Sequence, residues 1–304
     1  MIHDRRQKGA TKMDSSEPRN DLRRPNHATG RRCAVVTGGA SGIGRALAEA
    51  LAVTGVGIVV ADRQAELAEQ VAFGIRARGG AARAAELDVR DLDCFRKVVQ
   101  DAFAESCRLD YLFNNAGIVV SGEIGEYEPA DWDDVIDVNL RGVTHGILAA
   151  YPLMIEQGFG HIVNTASMAG LMSSPAMGGY TVTKHAVVAL SRVLRIEARR
   201  HGVRVSVLCP GVIRTPILEG GRYGRLKLDP ALIAGFFERL RPMDPALFAR
   251  RALRAVERNR GIIIEPPLWR LFWYLDRLSP RLADKFAEGT FHRMRRDIER
   301  LQGS

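Results

Sequence analysis

Tyr180 and Lys184 stand four residues apart in the segment Y-T-V-T-K, which follows two glycines and precedes the apolar run A-V-V-A-L. In an α-helix, side chains four residues apart lie on one face with their Cβ atoms about 5–6 Å apart, so a phenol and an ammonium group could act on one point. A free phenol has a pKa of about 10, and a neighbouring positive charge favours the phenolate. The pair is therefore a candidate acid/base. A partly buried tyrosine beside a lysine whose charged end reaches solvent would show the same spacing.

Short apolar segments alternate with longer helical patterns from residue 31 onward. The segments are C-A-V-V-T (33–37), G-I-V-V-A-D (57–62), L-D-Y-L-F-N-N (109–115), H-I-V-N-T-A-S (161–167) and V-R-V-S-V-L-C-P (203–210). Each is typical of a strand that is buried on both faces, and helical patterns such as 44–52 and 132–157 separate them. The alternation predicts an α/β fold of a single domain, a Rossmann-type doubly wound parallel sheet with helices on both faces. Ligands of such sheets bind at the carboxyl ends of the strands.

The first predicted strand leads directly into T-G-G-A-S-G-I-G, which places Gly38, Gly42 and Gly44 ahead of a helix. Glycines there permit a tight turn, close approach of the backbone to a pyrophosphate, and close packing of the helix on its strand. Asp62 ends the second predicted strand, where a carboxylate can bind both hydroxyls of the adenosine ribose and repel the 2′-phosphate of NADP. Arg63 follows it and could attract that phosphate. These residues predict a dinucleotide site that prefers NAD over NADP.

Taken in order, the motifs of residues 32–260 resemble those of the short-chain dehydrogenase/reductase family. The resemblance rests on T-G-G-A-S-G-I-G, L-D-V at 87–89, N-N-A-G at 114–117, the YxxxK pair, and P-G at 210–211 followed by Thr215. It implies an oxidoreductase that moves a hydride between NAD(P) and an alcohol or carbonyl group. No catalytic position departs from the family pattern.

The resemblance also implies a role for each site residue. Tyr180 would be the acid/base, and Lys184 would lower its pKa and hold the nicotinamide ribose. Ser167 would hydrogen-bond the substrate oxygen, and Asn139, in a helix, would help to hold a water that relays protons to Lys184. The cofactor would contact Gly38, Ser41, Gly42, Ile43, Gly44, Asp62, Arg63, Asp88, Val89, Asn115, Ala116, Gly117, Tyr180, Lys184, Pro210, Gly211, Val212 and Thr215.

Apolar residues follow Ser167 and Gly211 in the chain, including three methionines between 168 and 177. They favour either a pliable apolar pocket or ordinary packing of loops on the sheet. On the first interpretation the substrate is a hydrophobic secondary alcohol or ketone, such as a steroid, a retinoid or a fatty compound. A cluster of glycines predicts a flexible segment that closes over the substrate: Gly220, Gly221 and Gly224.

The segment 266–286, P-P-L-W-R-L-F-W-Y-L-D-R-L-S-P-R-L-A-D-K-F, lies beyond the family core. At helical spacing it contains one stripe of Leu268, Leu271, Phe272, Leu275, Leu278 and Leu282 and a second of Trp269 and Trp273. Basic residues border both stripes: Arg270, Arg277, Arg281 and Lys285. Such a helix could lie in a membrane interface, cover the substrate pocket, or pack on a second subunit.

Charge and composition argue against several other functions. The chain has 44 Lys+Arg against 35 Asp+Glu, and the basic excess lies at its two ends, so the central body lacks the basic patch of a nucleic-acid-binding protein. The sequence predicts a disordered basic tail over residues 1–30, a catalytic domain over residues 31–260, and an amphipathic helical extension over residues 261–304. The four cysteines are irregularly spaced with no CxxC pair, so we expect reduced thiols, no metal site and a cytoplasmic protein, with contact at a membrane surface as the alternative. No apolar run approaches the roughly 20 residues of a membrane span.

Two alternatives belong to other functional classes. A regulatory or scaffold protein could bind a dinucleotide without catalysis, but the complete set of Asn139, Ser167, Tyr180 and Lys184 argues against it. A serine hydrolase would need a G-x-S-x-G elbow, which T-A-S-M-A-G around Ser167 does not supply. Among oxidoreductases, the alternative is an NADPH-dependent carbonyl reductase.

The resemblance further implies a homodimer or homotetramer that associates through helices within 131–157 and 180–200.

Overall fold

The computed structural model of the protein describes residues 30–219 and 238–302. Within these residues, seven parallel strands form one sheet in the order β3-β2-β1-β4-β5-β6-β7. The strands are β1 Cys33–Thr37, β2 Gly57–Asp62, β3 Ala82–Glu86, β4 Tyr111–Asn114, β5 Gly160–Thr165, β6 Val203–Pro210 and β7 Ile262–Glu265. The predicted tail apart from Gly30, and the glycines at 220, 221 and 224, lie outside the described residues.

Helices cover both faces of the sheet, as the alternating pattern predicts. They are α1 Gly42–Ala52, α2 Ala65–Ala77, α3 Leu92–Ser106, α4 Pro129–Ile136, α5 Gly142–Gln157, α6 Gly178–Glu197, α7 Pro245–Glu257, α8 Trp269–Leu278 and α9 Pro280–Gln302. One core layer joins the sheet to α3, α5 and α6, and the other joins it to α1, α2 and α7. Successive strand residues point into opposite layers, Val35 into the first and Val36 into the second, because side chains alternate along a strand. The doubly wound Rossmann-type fold is confirmed.

The two edge strands were not predicted. β3 has the sequence A-R-A-A-E, in which alanine and charged residues have low β propensity, and β7 is a run of only four residues, I-I-I-E. β7 pairs with β6 in register, Val207 opposite Ile262, and completes the sheet. β7 lies beyond residue 260, the predicted end of the catalytic domain, and the next helix begins at Trp269.

The predicted helix 132–157 lies within α4 and α5, which a π-helical turn at Asp137–Arg141 joins. Such a turn contains an extra residue, which shifts the side chains that follow it relative to those before it. Asn139 lies in this turn and is completely buried although it is polar. The interruption in the helix therefore brings an amide group into the interior next to β4.

The apolar side chains of the C-terminal helices lie on two sides, one half-buried and one exposed. Trp269, Phe272 and Trp273 are half-buried, whereas Leu271 and Leu278 are exposed. Phe272 lies against Trp269, with ring centroids 5.6 Å apart and the rings tilted, and it is half-buried, unlike the exposed leucines of the stripe in which the sequence pattern placed it. No helix in the described part of the chain is both long enough and apolar enough to cross a membrane.

Candidate active site

The predicted site residues lie where the parallel strands end. β1 runs into Gly38, β2 ends at Asp62, and β4 runs into Asn115. Ser167 follows β5, and Gly211 follows β6. Because all the strands run in one direction, these positions meet along one edge of the sheet, the edge at which such folds bind ligands.

The glycine turn after β1 packs tightly against the neighbouring loops. Gly38 and Gly42 have φ angles of +62° and +51°, conformations that glycine adopts without steric cost. A Cβ atom on Gly38 would lie 2.9 Å from Cα of Ala116, and one on Gly42 would lie 3.2 Å from Cβ of Thr215. The turn therefore brings the predicted cofactor-binding residues of three loops into contact.

The start of α1 fits a pyrophosphate. Ser41 is the N-cap but its side chain makes no capping hydrogen bond, and the first turn, which includes Ile43, contains no acidic residue. The first backbone N–H groups of an α-helix have no partner within the helix, and the helix dipole places positive charge at that end. An anion bound there would satisfy these donors without repulsion from a nearby carboxylate.

The end of β2 fits the adenosine ribose. Asp62 is only 8% exposed, and its carboxylate accepts hydrogen bonds from the backbone N–H groups of Ala40, at 3.1 Å, and Gln64, at 3.0 Å. These bonds fix the carboxylate beside the glycine turn, and its remaining lone pairs can accept from two hydroxyls. The residues at this edge thus fit a dinucleotide.

Arg63 follows β2, and Asp88 lies two residues after the end of β3. Arg90 forms an ion pair with Asp88 at 2.6 Å and holds the pKa of that carboxyl below its usual range, and the positive charge of Arg63 adds to the effect. Val89 is buried, and its carbonyl oxygen lies 3.0 Å from Nδ1 of His145. The structure thus places Arg63 near the acidic residue of the predicted adenine contact.

A series of hydrogen bonds joins β1, β4 and β5 to Lys184. The hydroxyl of Thr37 accepts from the N–H groups of Asn115, at 3.0 Å, and Ala116, at 3.1 Å. Thr165 donates its hydroxyl proton to Oδ1 of Asn115 at 3.3 Å, and its carbonyl accepts from Nζ of Lys184 at 3.0 Å. Neither threonine was predicted as a site residue, and the one signal for each in the sequence is its position as the last residue of a buried strand.

Asn139 connects the π-helical turn to the loop after β4. Its Oδ1 accepts from the N–H of Ile118 at 2.8 Å, and its Nδ2 donates to the carbonyl of Ile118 at 2.9 Å and to the hydroxyl of Thr183 at 3.2 Å. A Cβ atom on Gly117 would lie 3.1 Å from this Oδ1 and 3.2 Å from Nζ of Lys184. Asn139 and Lys184 therefore approach the same backbone segment from two helices.

Tyr180, Lys184 and Ser167 meet at the N-terminal part of α6. Nζ of Lys184 lies 5.4 Å from the centre of the Tyr180 ring, on the same side of the helix as the four-residue spacing predicts. The hydroxyl of Ser167 lies near enough to that of Tyr180 to lower its pKa, and Oγ of Ser167 accepts from the N–H of Ala169 at 3.1 Å. Lys184 is only 3% exposed.

Burial controls the ionisation of this group. It raises the pKa of Tyr180, and the hydrogen bond from Ser167 opposes that rise without overcoming it. Burial also lowers the pKa of Lys184 to about 8, and it raises the pKa of Cys209, a neighbour that the sequence analysis missed, to about 12. Desolvation of the phenolate thus determines the direction of the Tyr180 pKa shift in the protein without cofactor, and the expected lowering by Lys184 with the nicotinamide charge stays a prediction.

The C-terminal extension contacts the turn after β6. A side chain at residue 211 would collide with the indole ring of Trp269, so the two residues lie in direct contact. Trp269 and Trp273 pack against the same core cluster as Leu171 and Met172, which follow Ser167 in the chain. Trp269 of the C-terminal extension thus lies beside the candidate site.

The chain is similar to a known protein family and to several known proteins. A family model described as short chain dehydrogenase matches residues 32–223. The chain is 38% identical over 200 residues to the 2,5-dichloro-2,5-cyclohexadiene-1,4-diol dehydrogenase of Sphingobium indicum, and 37% identical over 201 residues to the cyclohexanol dehydrogenase of an Acinetobacter species. Each alignment covers 65% of this chain and 79% of the relative.

The fold is similar to that of a short-chain dehydrogenase/reductase from Burkholderia phymatum, solved in complex with NAD. The TM-score is 0.75 at 31% identity, and the match covers 84% of this chain and 96% of the other. The residues that the family model matches include β1 to β6, whereas β7, α8 and α9 lie beyond them.

Proposed function

This chain belongs to the short-chain dehydrogenase family, and we propose that it transfers a hydride between NAD and an apolar secondary alcohol. The observation that carries the proposal is the grouping of the half-buried Tyr180 and Ser167 with the buried Lys184, near the carboxyl ends of β5 and β6. It combines a proton-transfer group, a hydrogen-bonding hydroxyl and a cation, the set that exchange of a proton with a substrate oxygen requires.

The chain's own residues would move the proton and hold the substrate. Bound NAD would accept the hydride from the carbinol carbon, which leaves a ketone when the hydroxyl proton is also lost. Tyr180 would take that proton in alcohol oxidation and return it in ketone reduction. Ser167 would hydrogen-bond the substrate oxygen, and Lys184, held by the Thr165 carbonyl, would keep positive charge beside the phenol.

Asn139 would have a positioning role. Its three hydrogen bonds to Ile118 and Thr183 fix the loop after β4 against α6. Thr183 in turn donates to the carbonyl of Tyr180 at 2.8 Å, so the amide is connected to the acid/base through one intervening side chain. We retain the family's water relay from Asn139 to Lys184 as part of the proposal, since Gly117 leaves both groups open to the same space.

The preference for NAD rests on Asp62. Its buried carboxylate ends β2 beside the glycine turn, where the 2′-phosphate of NADP would meet a like charge. Arg63 is exposed, and its positive charge helps to lower the pKa of Asp88. Its charge therefore has a function in the protein other than binding a 2′-phosphate. The other proposed cofactor contacts are those of the strand ends described above, including Gly44, Pro210 and Val212.

The proposed substrate class is an apolar cyclic secondary alcohol. Leu171, Met172, Trp269 and Trp273 would supply an apolar wall that suits a ring, because Trp269 contacts Gly211 and the first two follow Ser167 closely in the chain. The names of two relatives, a cyclohexanol dehydrogenase and a dichlorocyclohexadienediol dehydrogenase, support a ring alcohol over a linear one.

We also propose that the chain forms a homodimer or homotetramer through α5 and α6. These helices expose large apolar side chains to solvent, with Leu148 at 55%, Val193 at 53% and Ile196 at 74%. Exposed large apolar side chains on these helices support a subunit interface there.

The test combines cofactor binding with turnover. NADH and NADPH are titrated in parallel by nicotinamide fluorescence, and oxidation of cyclohexanol and larger ring alcohols is followed with NAD for the wild type and Tyr180→Phe. Tighter NADH binding, with turnover that Tyr180→Phe abolishes, supports the proposal. Tighter NADPH binding would instead favour a carbonyl reductase, and activity unchanged in Tyr180→Phe would contradict the assigned acid/base.

A further inference from the structure

The outer side of α8 and α9 carries a row of exposed apolar side chains that we call the leucine face: Leu268, Leu271, Leu275, Leu278, Leu282 and Phe286. Single exposed apolar residues are normal on a protein surface, but these are 39–84% exposed and follow one another along the two helices. Leu268, Leu271, Leu275 and Leu278 share one side of α8 at helical spacing, opposite the half-buried Trp269 and Trp273.

The row continues from α8 into α9. Phe286 of α9 packs beside Phe272 of α8, with ring centroids 5.9 Å apart, and both rings border the leucines. α8 packs on β7 at the edge of the sheet, and α9 packs on α8. The leucine face is therefore one surface at the end of the molecule, outside the residues that the family model matches.

Basic residues run alongside this row. On α9, Arg281 and Lys285 each precede a member of the leucine face by one position, so they lie next to it on the helix surface. Arg293 and Arg296 extend the basic row toward the end of α9. In the described part of the chain these four cations form no ion pair, whereas Arg270 pairs with Glu265 at 3.6 Å and Arg295 with Glu123 at 2.7 Å.

We propose that the leucine face docks on the surface of a bilayer that contains anionic phospholipid. An apolar face bordered by cations complements such a surface, because the leucines can enter the acyl boundary while the cations meet the phosphate groups. A second copy of the chain docked on the same face would instead bring the two basic rows toward each other, at a cost in like-charge repulsion. The inference goes beyond the proposed hydride transfer and does not depend on it.

Docking there would place the candidate site close to lipid. Trp269, on the inner side of α8, contacts Gly211 of the turn after β6, and the leucines occupy the outer side of the same helix. A helix with its side chains is about 10–12 Å across, so only that distance would separate the bilayer from the apolar wall of the site.

The test is sedimentation of the full chain, with NAD present, on vesicles of phosphatidylcholine alone and of phosphatidylcholine mixed with phosphatidylglycerol. We expect binding to the mixed vesicles that weakens at high salt. Each basic residue near an anionic surface contributes roughly fivefold in affinity, so Arg281→Gln with Lys285→Gln should weaken binding about 25-fold. Leu271→Ser with Leu278→Ser should weaken it about tenfold or more for each leucine.

Phe73→Ser is the matched control. Phe73 is 65% exposed, as Leu271 is, and lies on α2 at the opposite edge of the sheet, so its replacement should leave vesicle binding unchanged. Thermal melting confirms that every variant folds, which keeps the test independent of activity. Failure of the wild type to bind mixed vesicles, or equal loss in Phe73→Ser, would overturn the proposal. So would a fall in oligomer size by light scattering in the leucine variants with vesicle binding unchanged, because the occupant would then be a second copy.

Discussion

Gly211 and Trp269 lie in direct contact, and the indole ring of Trp269 fills the space that a side chain at residue 211 would need. Gly211 follows β6 and belongs to the turn expected to border the nicotinamide, whereas Trp269 begins α8 in the C-terminal extension. The extension is thereby fixed against the candidate site, and its inner side becomes part of the apolar wall beside Ser167. A small residue at 211 is required by this contact as well as by any approach of the cofactor.

Replacement of Gly211 by alanine tests this contact. The new Cβ atom would displace the indole of Trp269, and overpacking of this kind costs about 1–3 kcal/mol. We expect a lower melting temperature and a higher KM for ring alcohols, because the wall next to the site moves. Gly125→Ala is the control, since a Cβ there has no neighbour within 4 Å. Equal melting temperatures and KM values for Gly211→Ala and wild type would show that the contact does not shape the site.

Replacement of Ser167 by alanine should change the pH dependence as well as the rate. The hydrogen bond from Ser167 lowers the pKa of Tyr180, so its loss raises a pKa that burial has already raised. Alcohol oxidation needs the phenolate, so the rising limb of kcat/KM against pH should move to higher pH. Loss of a preorganised donor should also lower kcat about a hundredfold or more.

The measurement is kcat/KM for a ring alcohol across the alkaline range, in wild type and in Ser167→Ala. Ser174→Ala serves as the control because Ser174 lies in the same loop region and contacts Thr181 through its backbone carbonyl, not through its side chain. A lower rate, with the rising limb of kcat/KM at the same pH as in wild type, would mean that Ser167 binds substrate without changing the pKa of Tyr180.

Asp62→Asn should weaken the preference for NADH over NADPH. Asparagine retains an acceptor oxygen at the end of β2 but loses the charge that repels the 2′-phosphate. We expect the ratio of the two dissociation constants to change by about tenfold, which corresponds to about 1.4 kcal/mol. Glu66→Gln removes an exposed carboxylate four residues later on α2 and should leave the ratio unchanged. Equal ratios in wild type and Asp62→Asn would remove the basis for assigning NAD.

The sequence predicts those features of the fold that are encoded locally. β1, β2 and β6 appear as near-continuous apolar runs with the observed bounds, because parallel strands are buried on both faces. β3 lacks that pattern, since it lies at the edge with partly exposed alanines. Local propensity therefore identifies the centre of the sheet more reliably than its edges.

Features of the site that depend on tertiary contacts are not encoded in spacing. The interval between Tyr180 and Lys184 correctly predicts that they share a helix face, but it carries no information about burial, which determines the direction of the Tyr180 pKa shift. The contact of Trp269 with Gly211 joins residues far apart in the chain. Helical periodicity grouped Phe272 with the leucines, but its contacts with Trp269 of α8 and Phe286 of α9 leave it half-buried whereas the leucines are exposed.

His161 should make the folded protein sensitive to mild acid. It is 4% exposed within β5, and its Nε2 lies 2.9 Å from the hydroxyl of Ser206, which donates its own proton to the carbonyl of Arg260 at 2.6 Å. Nε2 of His161 must therefore carry the hydrogen and donate it to Ser206. Burial, with the positive charges of Arg204 and Arg195, lowers the pKa of this imidazole to about 3.

The direction of the change in stability follows from the protonation of His161 in the folded and the unfolded chain. The unfolded chain binds a proton on this imidazole below a pH of about 6.5, whereas the folded protein does not until about pH 3. The free energy of unfolding should therefore fall as the pH drops through that window, by about 2 kcal/mol at pH 5, with no contribution above pH 6.5 or so. Urea unfolding at pH 7 and pH 5 should show a loss in wild type that exceeds the loss in His161→Gln by that amount. His185→Gln, at an exposed position of α6, should behave as wild type does. An equal loss in wild type and His161→Gln would show that other groups account for the acid sensitivity.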